Sequence, residues 1–213
     1  MKVISMKELV SLIEEIKKDP KVRREADSRI KEFRKYRNAS SDEIFKQLCF
    51  CIMTANFNAK RSIEIEEKIG DGFICFPEKK LASKLKEYGH RFPNARANYM
   101  VCNRKHKESL KKMIDTKDEK ELRDWIVKNI KGLGYKEASH FLRNIGYENF
   151  AIIDFHIIDV LVGYGLIERP KAMTKKKYLE IEEILGKIAK KVNLSRGELD
   201  FYLWYSETKK ILK

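Results

Sequence analysis

Two glycines, Gly132 and Gly134, bracket Leu133 between two stretches of helical apolar spacing. Before the turn, Leu122, Trp125, Ile126 and Ile130 recur at three- and four-residue steps; after it, Ala138, Phe141 and Leu142 do the same. Two helices must therefore meet across a very short connection. Glycine lets the backbone turn sharply and lets a ligand come close to it. Leu133 plugs the two helices together, and Ala138 keeps them near each other. The helix that begins across Gly134–Ala138 points its free N–H groups and positive dipole end outward, which suits an anion. The pattern apolar-x-Gly-apolar-Gly-x-x-x-Ala, here Ile130 to Ala138, fits a grip on a phosphodiester that does not read base sequence. An ordinary pair of helices joined by a glycine turn has the same spacing.

The rest of the chain also has helical period, with ten Gly and four Pro as sparse punctuation. Leu9, Leu12, Ile13 and Ile16 share one face of a first helix. Pro20 opens a second, with Val22, Ala26, Ile30 and Phe33 inward and Arg23, Arg24, Arg29, Lys31 and Arg34 outward. Ser40 with Glu43 forms a capping box ahead of an apolar helix from Ile44 to Ala55. Phe92-Pro93 breaks the chain before a helix starting near Asn94. Pro170 and Lys175–Lys177 read as a basic linker, and Ser195 with Glu198 caps a last helix. No strand alternation of useful length appears, so the expected fold class is all-α.

Charge narrows the partner. Lys and Arg number 46 against 32 Asp and Glu, a net +14, which favours a polyanion. A solvated lysine-rich surface of a heat-adapted protein would give the same balance, and a single glutamine, Gln47, is in keeping with it. No segment is long and apolar enough to span a bilayer. The N-terminus carries Lys2, Lys7 and Glu8 without a secretory apolar core. Cys49, Cys51, Cys75 and Cys102 form no CxxC and no zinc spacing, so neither metal nor disulfide framework is expected, as in a reducing cytoplasm.

Several residues carry possible chemistry. Lys136 lies in the first turn of the second hairpin helix, where the dipole disfavours a cation, and Lys131 adds a like charge nearby. Both effects favour a neutral amine, which can act as a nucleophile and form a Schiff base. The plainer alternative is a phosphate contact. Asp154 follows Ile152-Ile153 and precedes an apolar helical run, the place of an N-cap, where the dipole favours its ionised form. That anion can stabilise a cationic sugar or steer a lysine proton, or serve only as a cap. His156 either helps hold it or contacts phosphate. In Thr54–Arg61, Asn56 and Asn58 either reach base edges or form an Asx turn. Phe92, flanked by Arg91 and Arg96, either stacks a base or staples the core.

Lys136 and Asp154, eighteen residues apart behind a Gly-x-Gly hairpin, resemble the catalytic pair of the helix-hairpin-helix DNA glycosylase superfamily. Gly132-Leu133-Gly134-Tyr135-Lys136 resembles its hairpin with the lysine of bifunctional members, and Ile153-Asp154-Phe155-His156 its Val-Asp-x-His stretch. Thr54–Asn58 resembles the segment that fills the gap left by a flipped base. The pattern covers roughly Ser40 to Leu166. The chain end, Trp204 to Lys213, is similar to the archaeal-type 8-oxoguanine glycosylase/lyase family, a resemblance spanning nearly the whole chain. The iron–sulfur members carry four cysteines near the C-terminus; none follows Cys102 here, so no cofactor is implied.

The resemblance implies a two-lobed fold. Residues 40–150 would form one lobe with the hairpin at about 122–145; residues 1–39 and 151–213 would form the other. It implies attack by Lys136 on C1′, charge stabilisation by Asp154, and β-elimination. It puts the damaged base among Phe92, Trp204 and the terminal carboxylate of Lys213. DNA contacts would come from Gly132, Gly134, Lys131, His156, Asn56, Asn58 and Arg61. The expected partner is double-stranded DNA with an oxidised base, met by a monomer in a prokaryotic cytoplasm. A pyrimidine-lesion enzyme on the same fold and a non-catalytic DNA-binding protein are the rivals.

Overall fold

The computed structural model describes residues 5–211. These form thirteen α-helices with no strand among the described residues: α1 (Met6–Lys18), α2 (Pro20–Lys35), α3 (Ser41–Thr54), α4 (Ala59–Ile69), α5 (Gly72–Cys75), α6 (Glu78–Glu87), α7 (Pro93–Asn103), α8 (Lys107–Thr116), α9 (Glu119–Asn129), α10 (Tyr135–Asn144), α11 (Phe155–Gly163), α12 (Lys175–Lys191) and α13 (Arg196–Thr208). The fold class is all-α, as the periodicity predicts. Two compact units divide the chain. One runs through Arg34 and resumes at Gly146; the other spans Lys35–Ile145.

The Lys35–Ile145 unit is built on α3. Phe45, Leu48, Cys49, Phe50, Cys51, Ile52 and Met53 are all fully buried, so this helix is enclosed on nearly every side. The capping box forms: the Glu43 N–H donates to Ser40 Oγ, and the Ser40 N–H donates to Glu43 Oε2 at 3.0 Å. Helices α4, α5, α7, α8 and α10 pack against it. Helix α8 has a thin sequence signature because only Leu110 and Ile114 are buried in a run rich in lysine.

In the other unit, α1, α11 and α12 pack on α13. Val22, Ala26, Ile30 and Phe33 form the buried face of α2, and Phe33 stacks on Phe201 at 6.2 Å. Gly146 belongs with this group. Its φ is +88°, and a Cβ there would lie 3.1 Å from Arg34 Cα. Arg34 Nε and Nη2 grip the Glu148 carboxylate at 2.5 and 2.9 Å. The boundary on this side therefore follows Ile145 rather than Phe150.

Lys175, Lys176 and Lys177 do not form a linker. They make the first turn of α12, because Thr174 caps that helix by accepting the Lys177 N–H at 3.2 Å. Lys177 offsets its poor position against the dipole by pairing with Glu180 at 2.7 Å.

Candidate active site

The hairpin joins α9 to α10 within the Lys35–Ile145 unit. Asp118 starts α9 by accepting the N–H groups of Lys120 and Glu121 at 2.9 and 3.1 Å. The turn is held from α7. Asn103, almost fully buried, donates through Nδ2 to the Lys131 carbonyl and accepts the Lys131 N–H at Oδ1, both at 2.9 Å. Lys131 Nζ donates to Asn98 Oδ1 at 2.8 Å and lies 5.4 Å from the Tyr99 ring centroid. Leu133 is buried between the two helices, as expected of a plug.

The two glycines differ. Gly132 has φ +90°, and a Cβ there would stand 2.4 Å from Tyr99 Cδ2. Both the backbone and the packing require glycine. Gly134 has φ −93° and ψ −169°, extended backbone open to any residue, and its Cβ would meet only Glu137 Oε2 at 3.5 Å. Nothing inside the protein requires glycine at 134, and its surface is exposed. Lys136, in the first turn of α10, is part-buried and pairs with Glu137 Oε1 at 3.2 Å. The sequence puts Lys131 beside it; in the structure the charge it touches is a carboxylate, and Lys131 is committed to Asn98.

Two loops of the same unit meet at the C-terminus of α3. Asn56 is exposed with φ +56°, a left-handed conformation that asparagine tolerates. Asn58 is the N-cap of α4: its Oδ1 accepts the Arg61 N–H at 3.0 Å, so the Asx alternative holds for this residue. Phe57 lies against the His90 ring at 4.2 Å, and Arg61 lies 5.9 Å from the Phe57 centroid. Arg61 also packs over Gly89, whose φ is +77° and whose Cβ would sit 2.3 Å from Nη2. His90 is buried. The Phe92 N–H donates to Nδ1 at 3.0 Å, which leaves the proton on Nε2, 3.1 Å from the Met53 carbonyl. Burial, with Arg96 and Arg61 nearby, lowers the His90 pKa and keeps the ring neutral. Phe92 is 37% exposed at the start of α7, with Arg91 and Arg96 at 5.0 and 5.6 Å from its ring. Its solvent-facing ring makes it no core staple.

Asp154, His156 and Trp204 fall in the other unit. The run Phe150–Ile153 lies outside the helices, and α12 satisfies part of its backbone. The Ala151 N–H donates to Glu182 Oε1 at 3.1 Å, and Tyr178 OH donates to the Ala151 carbonyl at 2.7 Å. The chain so held delivers Asp154 as the N-cap of α11, where Oδ1 accepts the Ile157 N–H at 3.0 Å. His156 meets Trp204 edge-on at 4.5 Å. Trp204 Nε1 is buried without a hydrogen-bond partner. Phe155, to which the sequence assigns no role of its own, is 65% exposed and lies 4.0 Å from the His156 ring. Lys213 lies outside the described residues. Among those described, no group of three or more His, Cys, Asp or Glu could hold a metal ion, and no helix is long and apolar enough to cross a membrane.

An all-helical chain whose glycine hairpin opens α10 with a lysine in its first turn belongs to the helix-hairpin-helix class of DNA glycosylase folds. Residues 26–194 match the family model described as 8-oxoguanine DNA glycosylase. The 8-oxoguanine DNA glycosylase/AP lyase of Korarchaeum cryptofilum is 50% identical over 198 residues, covering 92% of this chain and 94% of the relative. That of Methanocaldococcus jannaschii is 49% identical over 207 residues, covering 96% and 99%. A crystal structure of the M. jannaschii glycosylase/lyase in complex with a 15mer DNA containing 8-oxoguanine superposes with a TM-score of 0.93 at 48% identity, covering 96% of this chain and 99% of that one. The chain belongs to the 8-oxoguanine DNA glycosylase family.

Proposed function

We propose that this protein excises 8-oxoguanine from double-stranded DNA and then cleaves the strand at the resulting abasic site, as a step of base excision repair. The observation that carries the reading is the match of the whole chain to relatives named 8-oxoguanine DNA glycosylase/AP lyase, one of them solved with DNA containing that base. The hairpin geometry adds chemistry to it. With Lys131 tied to α7, the open face of Gly134 and the first-turn amides of α10 are left to receive a phosphate.

In the reaction, Lys136 Nζ attacks C1′ of the flipped nucleotide while the glycosidic C–N bond breaks and the base leaves with the bonding pair and takes up a proton. Asp154 stabilises the positive charge that develops on the sugar. Loss of the O4′ bond to C1′ gives an imine between Lys136 and the sugar. Removal of a C2′ proton then expels the 3′ phosphate, and water releases the lysine. Phe92 and Trp204 are the aromatics assigned to the damaged base. His156, Asn56, Arg61 and the hairpin glycines hold the DNA. The protein acts as a monomer in a prokaryotic cytoplasm, a setting supported by the archaeal and Thermotoga sources of its relatives.

The test uses labelled duplexes carrying 8-oxoguanine, thymine glycol or an abasic site, with borohydride to reduce any imine. A trapped covalent adduct is expected with 8-oxoguanine and with the abasic site. Preference for thymine glycol would replace this reading with a pyrimidine-lesion enzyme, and no adduct with any lesion would leave only a DNA-binding module.

The glycines give a second prediction. Gly134→Ala should cost at most about 1 kcal/mol of stability, since alanine is a poorer N-cap, yet weaken duplex binding markedly by obstructing the phosphate. Gly132→Ala should lower the melting temperature more, because left-handed backbone alone costs roughly 1–2 kcal/mol for alanine and the Tyr99 ring must move. Thermal melts alongside duplex titrations check both; equal duplex affinity for Gly134→Ala and wild type would remove the phosphate from the hairpin.

A further inference from the structure

The loop after α3 and the loop before α7 are separate in sequence, yet His90 of the second loop and Arg96 of α7 are both anchored on carbonyls at the C-terminal end of α3. A helix leaves its last carbonyls without intrahelical partners. At the end of α3, the Thr54 carbonyl receives the Phe57 N–H at 3.1 Å. The Met53 carbonyl receives His90 Nε2 at 3.1 Å, across 37 residues of sequence. The Ala55 carbonyl receives Arg96 Nη2 at 2.5 Å, across 41 residues. The cation at a helix C-terminus also complements the dipole. On its other side His90 accepts the Phe92 N–H, and its ring lies against Phe57. One buried imidazole therefore touches both loops: the one that presents exposed Asn56 and the one that presents exposed Phe92.

We propose that His90 is a positioning residue, a latch that joins the Asn56 loop to the Phe92 loop so that the two meet the damaged DNA as one preformed unit, Asn56 toward the gap and Phe92 toward the extruded base. Asn56 sits in a left-handed conformation, and Phe92 is held by its own N–H on the imidazole rather than by packing on the outer side. A preformed unit spends less of its binding energy on ordering. The proposal rests on the reading of this protein as a DNA glycosylase, because that reading supplies the gap and the extruded base that the two loops meet.

The two ring nitrogens can be tested apart. Glutamine at 90 puts an amide N–H where Nε2 stands and keeps the tie to Met53. Asparagine puts an amide oxygen where Nδ1 stands and keeps only the local bond to Phe92. His90→Asn should slow single-turnover excision of 8-oxoguanine about tenfold or more, the order expected when a buried carbonyl loses its partner, and His90→Gln should recover most of that loss. Similar rates for the two variants would overturn the latch. A double-mutant cycle needs no change at His90. Asn56→Ala and Phe92→Ala should be non-additive in excision rate, the pair together costing little more than the worse single change; strictly multiplicative effects would overturn the proposal. Failure of the underlying reading looks different: wild type would then trap no adduct, and neither Asn56→Ala nor Phe92→Ala would alter DNA processing.

Discussion

Replacing Lys136 with glutamine is expected to abolish the borohydride-trapped adduct and to reduce base release and strand cleavage by roughly three orders of magnitude or more, the scale on which loss of a covalent nucleophile acts. The fold should not suffer. Lys136 is part-buried and pairs with Glu137, an interaction of a kind worth about 0–1 kcal/mol. Removing a cation from the first turn of α10 relieves its repulsion with the helix dipole. A melting temperature within a few degrees of wild type is therefore expected for a chain of this length. If Lys136 instead only grips phosphate, the same substitution should weaken duplex binding and shrink the salt dependence of affinity by about one unit of slope, with the adduct still forming at saturating protein. Trapping at saturation, read beside a salt titration, separates the two roles.

That contrast bears on the Lys131 argument. The sequence puts two lysines near each other and makes a case for a neutral amine from like-charge repulsion. In the structure Lys131 Nζ is turned to Asn98 on α7, and the group beside Lys136 is Glu137. A carboxylate at 3.2 Å can position the amine and can take a proton from it, which is a different service from repulsion.

What the sequence makes legible is local. The α2 stripe of Val22, Ala26, Ile30 and Phe33 follows from helical period, and all four are buried. The capping boxes at Ser40 and Ser195 follow from spacing, and both form. The hairpin is legible because glycine, plug and alanine lie within nine residues. What escapes is tertiary. Asn103 binds both backbone groups of Lys131 from 28 residues away, and His90 reaches Met53 from 37. No period encodes such ties, and a buried asparagine or histidine has the same letter as an exposed one. Asn56 and Asn58 show the limit most sharply. They look alike in sequence, but one caps α4 while the other stands exposed in left-handed backbone. The lysine run at 175–177 reads as a linker for a related reason: a solvated charge run and a helix's first turn differ only by the cap, and Thr174 supplies it.

Asp154→Asn should cut 8-oxoguanine release by roughly two to three orders of magnitude, the range for removing one preorganised electrostatic group, while leaving the fold and duplex affinity nearly intact. The substitution isolates charge from capping. Asp154 Oδ1 accepts the Ile157 N–H at 3.0 Å, and asparagine is about as good an N-cap as aspartate, so its amide oxygen can keep that bond. Alanine cannot, and Asp154→Ala should additionally lose about 0.5–2 kcal/mol of stability. If the carboxylate acts on the developing sugar cation, Asn and Ala variants should be similarly slow in base release and differ in melting temperature. If Asp154 is only a cap, the order changes: Asn should be near wild type in every assay, and Ala should fail through instability. A preformed abasic site sharpens the comparison. There the glycosidic bond is already broken, so imine formation needs far less help from an anion, and Asp154→Asn should retain most of its strand cleavage on that substrate. Equal losses on 8-oxoguanine and on the abasic site would move Asp154 from charge stabilisation to handling the lysine proton, the other task open to an anion at this helix start.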